Sequence, residues 1–356
     1  MTLQKPLDID LPIIQAPMAG VQDSALAIAV SNAGGLGSLP CAMLSQDDLL
    51  KELTTLQAQT SQPYNLNFFC HTPAPPQPEQ EVAWRKILTP YYQEYGLDIN
   101  ALPAGPERRP FSTETADIIE AFQPPVVSFH FGLPEKALLA RVKGWGSKVI
   151  ASATTIEEAL FLEAAGVDAI IAQGLEAGGH RGHFLSDELS RQMGTFALLP
   201  QIVKAVKRPV IAAGGIVDAQ GVRAAMAIGA TGVQVGTAYL LCPESTTSTL
   251  HRAALKSDEA AHTVLTNVFS GRAARGIVNR AIRELGPLNP SAPTFPLASK
   301  AMTALRTAAE IQGSSDFSPL WCGQNKRGCK VIPAASLTQL LAKGVTEHWA
   351  KITSTP

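Results

Sequence analysis

Apolar positions in this chain fall in short uninterrupted runs, and each run is followed by a segment with helical spacing. The runs are "PIIQAPM" (12–18), "GLGSL" (35–39), "YNLNFF" (64–69), "PVVSFHF" (125–131), "KVIASA" (148–153), "AIIAQ" (169–173), "PVIAAGG" (209–215) and "GVQVGT" (232–237). Strands buried on both faces have this appearance, whereas half-buried strands alternate. Intervening segments such as "DSALAIAVSNAG" (23–34) and "SQDDLLKELTTLQAQ" (45–59) predict helices. Thr155 with Glu158 forms a capping-box pattern ahead of "ALFLEAAG", Gly166 ends that helix, and Asp218 caps "AQGVRAAMAIGA". Strict alternation of strand and helix implies parallel pairing. Eight such units within roughly 240 residues predict an α/β fold, a closed (β/α)8 TIM barrel; an open doubly wound sheet is the alternative.

Two stretches break the rhythm. Residues 71–110 start with a proline-rich passage that cannot continue a strand, then carry a short helical pattern of their own. From residue 241 the chain turns helical or irregular, with no period-2 runs, until "PAASLTQLLAKGVTEHWAKI" (333–352) supplies a helix suited to closing the barrel. The expected organisation is a barrel made of 1–70, 111–240 and 333–356, and a smaller, mostly helical domain made of 71–110 and 241–332 that covers the barrel mouth and the substrate.

Composition narrows the class of partner. The 356 residues are 46% hydrophobic and 17% charged, with a formal net charge of -1 and no long run of like charges. An ordinary globular core is affordable, and neither nucleic acid nor an anionic membrane surface finds an electrostatic footprint. A small-molecule partner is expected. The opening "MTLQKPLDIDLPII" lacks a basic segment followed by a signal-length apolar stretch, and no segment reaches the roughly 18 apolar residues of a membrane span, so a cytoplasmic location is expected. Cys41, Cys70, Cys242, Cys322 and Cys329 are scattered, which predicts reduced thiols and no metal site.

In a barrel of this kind the chemistry sits in the loops at the carboxyl ends of the strands. "GLEAGGHRGHF" (174–184) is the loop after the sixth strand, and it combines Gly174, Gly178, Gly179 and Gly182 with Glu176, His180 and His183. The loops after the seventh and eighth strands, "AGGI" (213–216) and "GTA" (236–238), each lead toward a helix start. Bare backbone N–H groups beside a helix N-terminus cradle an anion, so a phosphate monoester is expected there; the alternative is that these glycines only make tight turns. No G-x-G-x-x-G follows a strand, since "GGLGSLP" has Pro40 at the decisive place, which argues against a Rossmann dinucleotide site.

Taken together, "PIIQAPMAG", "SFHFGLP", "IIAQGLEAGGHRG", "AAGGI" and "GVQVGTAYL" resemble the nitronate monooxygenases, FMN-dependent enzymes formerly called 2-nitropropane dioxygenases. Other FMN barrels, such as the flavin-dependent enoyl reductases, share segments like "QAPM" and "AGGI"; "SFHFGLP" and "EAGGHRG" in one chain favour the class I monooxygenase branch. "PLWCGQ" (319–324) is similar to that branch's late loop, except that Cys322 stands where a small residue such as Ala is expected.

The resemblance implies that FMN rests its phosphate on Gly215, Gln234, Val235, Gly236 and Thr237, in agreement with the cradle. It further implies flavin contacts from Asn67, Gln173 and Gly178, with Ala16, Pro17 and Met18 beside the ring. Neutral amides such as Asn67 and Gln173 match the mixed donor and acceptor edge of an isoalloxazine. His180 is implied as the catalytic base that takes the α-proton of a neutral nitroalkane, a task suited to imidazole; an ionised nitronate does not need it. His183 is an alternative base, and His130 and His183 are candidate substrate contacts. Glu176 is expected to orient the loop, and Ser270, Arg272 and Arg275 in "SGRAARG" are candidates to reach over the mouth. The implied reaction oxidises an alkyl nitronate such as propionate 3-nitronate, or a nitroalkane, with O2 to a carbonyl compound and nitrite. Alternatives are an NAD(P)H-dependent quinone or enoyl-thioester reductase of the same fold and a flavin-free phosphate-binding lyase or isomerase; a homo-oligomer is possible.

Overall fold

The structure is a computed structural model and describes residues 3–101 and 108–353. Eight parallel strands, β1 (Ile13–Gln15), β2 (Gly37–Pro40), β3 (Tyr64–Phe69), β4 (Val126–His130), β5 (Lys148–Ala153), β6 (Ala169–Gln173), β8 (Val210–Ala213) and β9 (Gly232–Val235), are joined by helices; β7 (Gly179–His180) lies outside them, in the loop after β6. Their order around the sheet is β1-β9-β8-β6-β5-β4-β3-β2. A parallel bridge from Ile14 to Leu36 returns β1 to the entrance of β2 and closes the barrel. Every apolar run of the sequence coincides with one of the eight strands, in order, with β2 extending one residue beyond its run.

Side-chain caps start the helices, among them the two expected at Thr155 and Asp218. Ser45, Ser112, Thr155 and Asp218 each accept a hydrogen bond from a backbone N–H of the first turn. The capping box at Thr155 is completed differently from expectation. The Glu158 carboxylate, 1% exposed, accepts from the Thr154 N–H at 2.7 Å and from the Phe184 N–H at 2.6 Å, tying this helix to the loop after β6.

Within the barrel the two ends differ. Leu3 and Leu7 plug the amino-terminal end against Ile14, Leu36, Val126, Ile150, Ile171 and Ile211. Polar side chains are buried along the other strand positions, among them Gln15, Ser38, Asn65, Asn67, Ser128, Ser152 and Gln173. The closing helix Ala334–Thr353 lies against the helix Ala219–Ala227 so closely that a Cβ on Gly344 would stand 2.1 Å from the Ala219 carbonyl oxygen.

The two interruptions meet in one apolar cluster of their own. Trp84, Leu88 and Tyr92 of the helix Pro78–Glu94 pack with Val268, Phe269, Met302, Leu305 and Phe317, and the Tyr92 hydroxyl donates to the Ala301 carbonyl at 2.7 Å. Residues 241–332 are not free of strands, contrary to the sequence reading. β10 (Thr263–Thr266) and β11 (Ala274–Ile277) pair antiparallel, and β11 also pairs with β7, placing Ala274 opposite His180 and Arg275 opposite Gly179. These strands escape pattern reading because they are four residues long or shorter, and "ARGI" is buried throughout with an arginine in it.

Candidate active site

A cavity of about 240 Å³ opens at the carboxyl ends of the strands, ligand-sized beside the roughly 30 Å³ of one water. Its wall brings together Ala16, Pro17, Met18, Asn67, His130, Gln173, Gly178, His180, Gly215, Gln234, Gly236 and Thr237. Two expected residues lie off that wall. Val235 is 1% exposed and follows Gln234 on the same strand, so its side chain takes the opposite face; its carbonyl accepts from the Ala16 N–H at 2.8 Å. His183 is buried behind the loop, with its Nε2 3.3 Å from an Asp187 carboxylate oxygen.

On the β8 and β9 side the wall is mostly backbone. Gly214 and Gly215 have φ of +121° and +73°, conformations that an L side chain adopts only with strain. Thr237 Oγ1 accepts from the Gly323 N–H at 2.9 Å, so its own proton stays available for an anion. Gln234 Oε1 is buried without a hydrogen-bond partner among the described residues, an acceptor that a ligand donor would satisfy. A Cβ on Gly178 would lie 2.6 Å from the Gly323 nitrogen and 2.7 Å from the Cys322 carbonyl carbon, so only glycine lets the late loop close over this side. These residues fit a phosphate monoester carrying a polar planar ring.

The loop carrying His180 is built differently, from side chains that grip it on both flanks. From inside the barrel, Gln173 Nε2 donates to the His180 carbonyl at 3.0 Å while its Oε1 accepts from the Gly182 N–H at 2.8 Å. His130 Nε2 lies 3.3 Å from the same carbonyl and its Nδ1 lies 3.1 Å from Ser152 Oγ. Because a carbonyl only accepts, this bond requires His130 to carry its proton on Nε2. Gln173 and His130 thus hold the loop with the groups expected to meet a ligand. Gly182 is obligatory beside them, since a Cβ there would be 2.7 Å from His130 Cε1.

Arg181 is fully buried and donates to the Gly174 carbonyl at 2.6 Å, to the Gln173 carbonyl at 2.7 Å and to Gln192 Oε1. Glu176 caps the helix Thr195–Ala205, accepting from the Thr195 N–H at 2.8 Å, and so orients the loop. The outer flank is gripped by the segment around β11. Arg275 Nε donates to the Leu175 carbonyl at 2.8 Å, Arg272 donates to the His183 carbonyl and lies 4.4 Å over the Phe131 ring, and Ser270 Oγ lies 2.8 Å from His180 Nε2. Arg275, expected over the mouth, is instead 6% exposed and spent on backbone.

His180 stands among Phe69, Phe131, Phe295 and Trp321, with ring centroids 6.4, 6.0, 5.4 and 5.5 Å away. Burial holds its imidazole well below the ordinary range, and Arg108, His130, Arg272 and His183 push in the same direction. Burial likewise brings His130 down to about 3. Both rings are therefore neutral at pH 7, and His180 is able to accept a proton.

Comparison with known proteins decides the family. The nitronate monooxygenase family model matches residues 1–344. A nitronate monooxygenase of Paraburkholderia phytofirmans is 43% identical over 95% of this chain and 93% of its own length, and one of Pseudomonas aeruginosa is 41% identical over 95% and 97%. The chain belongs to the nitronate monooxygenase family. It is thus an oxidoreductase of a flavin-dependent family. A solved nitroalkane oxidase from Streptomyces ansochromogenes superimposes with a TM-score of 0.89 at 36% identity, covering 98% of this chain and 99% of the other.

Several site residues of this family member were not legible in its sequence. Ser128 and Ser152 bond the amides and imidazoles of neighbouring strands: Asn65 Nδ2 and Asn67 Nδ2 both donate to Ser128 Oγ, each at 2.9 Å. The spacing of Asn65 and Asn67 two apart in one strand was the available signal, because it puts both on one face. Phe69, Arg108 and Trp321 also line the cavity; Trp321 lies in the "PLWCGQ" segment and Phe69 ends the "YNLNFF" run, but neither was singled out within it.

Proposed function

We propose that this protein is an FMN-dependent nitronate monooxygenase that converts alkyl nitronates such as propionate 3-nitronate, and neutral nitroalkanes, with O2 to a carbonyl compound and nitrite. The observation that carries the reading is His180: a neutral imidazole on the wall of one cavity with the glycine cradle of β8 and β9, gripped on both flanks. When bound, FMN supplies the oxidising chemistry. Gly215, Gly236 and Thr237 would hold its phosphate; Gln234, expected at the phosphate, would instead meet the polar edge of the ring beside Asn67, because its buried Oε1 needs a donor that a phosphate lacks, and Ala16, Pro17 and Met18 would pack beside it.

For a neutral nitroalkane, His180 takes the α-proton, the C–H bond breaks, and the electron pair stays on the substrate as nitronate. The aromatic rings around His180 exclude water from that step, and Arg108 on the cavity wall favours the anion as it forms. A substrate that arrives as nitronate bypasses His180. The same reading assigns the barrel to 1–70, 111–240 and 333–356 and the cover to 71–110 and 241–332, and it makes the compartment cytoplasmic. No described helix is long and apolar enough to cross a membrane.

The deciding experiment follows the visible spectrum of the purified protein under anaerobic conditions as propionate 3-nitronate is added. A flavin spectrum that changes with nitronate supports the reading. Flavin that ignores nitronate and bleaches with NAD(P)H would transfer the protein to the reductases, and failure to bind FMN would remove the site assignment.

A further inference from the structure

The cover contributes one side chain to the base itself. Ser270 is 1% exposed, and its Oγ lies 2.8 Å from His180 Nε2. It stands on a turn with little freedom: the Ser270 and Gly271 N–H groups both donate to the Asn267 carbonyl, Gly271 has φ +86°, and a Cβ there would lie 2.0 Å from the Pro293 carbonyl oxygen. Four residues on, Ala274 is registered opposite His180 across the β11–β7 pairing, and the Arg181 N–H donates to the Ala273 carbonyl at 2.9 Å. The turn and the base loop are thus fixed to each other at three successive points.

We infer that Ser270 is the positioning residue of the base, holding His180 as the Nε2–H tautomer so that Nδ1 receives the substrate proton; the inference rests on the functional reading above. The hydroxyl has one proton, and the Arg272 carbonyl lies 3.3 Å away to accept it. With that proton so used, Oγ presents a lone pair to Nε2–H, so the Ser270 hydroxyl and the His180 Nε2–H each have an acceptor. The opposite tautomer would leave an Nδ1–H with no acceptor among the described residues and the Arg272 carbonyl without its donor. On proton transfer the substrate C–H bond breaks, Nδ1 gains the proton, and the imidazolium tightens its existing Nε2–H bond to Oγ without reorganisation. The groups that bias the charge of His180 are Arg108, His130, Arg272 and His183, all of which disfavour the imidazolium, so Ser270 supplies an interaction that favours it.

The test compares the FMN-loaded wild type with Ser270→Ala and Ser270→Thr. Histidine-labelled protein is read by long-range 15N–1H NMR, with the His180 signals assigned by their absence in His180→Asn. The wild type is expected to show His180 as Nε2–H. Ser270→Ala is expected to mix the tautomers, to lower kcat/KM for nitroethane about tenfold and to move its acid limb to lower pH. Turnover of ethyl nitronate and FMN content should stay within about twofold of wild type, and Ser270→Thr should restore the nitroethane profile. An Nδ1–H tautomer in the wild type, a superimposable pH profile in Ser270→Ala, or an equal loss on both substrates would each overturn the inference. The tautomer is measured without turnover, so a protein that ignores nitronate would sink the functional reading while leaving this one to be decided by the spectrum.

Discussion

The two sides of the cavity are made of different materials. The cradle after β8 and β9 is backbone and small side chains, with Gly214, Gly215 and Gly236 within a few residues of the strands that position them. The loop after β6 carries the proposed base and is gripped by Gln173 and His130 from the barrel interior and by Ser270, Arg272 and Arg275 from a segment about 90 residues later in sequence. An anion needs only donors at the right spacing, which tight turns provide locally. A base needs one nitrogen, one tautomer and a dry surround, which only side chains from several elements provide.

The sharpest way to break this comparison is to remove the base while keeping the cradle. His180→Asn should lower kcat/KM for a neutral nitroalkane by about 10²–10⁴, the usual contribution of a general base, and leave nitronate turnover and FMN content near wild type. Equal loss on both substrates in steady-state assays would show that the loop serves the flavin as much as the proton. The converse change, Gly236→Asp, sets a carboxylate against a phosphate; FMN affinity measured by fluorescence quenching should weaken by about a hundredfold, with nitroalkane and nitronate turnover falling together. Unchanged affinity would move the phosphate elsewhere.

Smaller effects sharpen the grip on the loop. His130→Phe removes the donor to the His180 carbonyl and should reduce nitroethane kcat/KM by about tenfold while sparing nitronate, a split visible when both substrates are assayed on one preparation. The smallest effect expected is in the pH profile. Because burial and nearby cations lower the folded His180 pKa, the ring stays unprotonated as pH falls through the usual imidazole range, and activity is lost only lower. Between pH 7.5 and 6, kcat/KM for nitroethane should change less than about twofold, where a histidine of ordinary pKa would lose about fourfold. An acid limb centred near 6.5 would show the ring to be more solvated than the structure has it.

Much of this was legible without coordinates. The eight runs found their strands because parallel strands buried on both faces leave an unalternating apolar record, and caps such as Thr155 and Asp218 act within three residues of themselves. Gly178, Gly215, Gly236 and His180 were singled out through loop position and family resemblance, and they line one cavity. Val235 lies off the cavity wall because alternation along its strand turns it away from the face of Gln234, and His183 because its loop buries it beside Asp187. Gln173 and His130 line the cavity as expected, yet their hydrogen bonds run to the loop backbone, a partner that no residue spacing encodes.

By itself, then, the sequence determined the strands and helices of the barrel, its interruptions and its glycine-rich loops, since each is written in residues close along the chain. Only the tertiary structure decided that "SGRAARG" would add β11 to the edge of β7 and bring Ser270 to 2.8 Å from His180. That contact spans 90 residues and depends on the segment around β11 folding against the loop after β6, and pairing at such a distance follows from how whole surfaces pack, a property of the assembled chain.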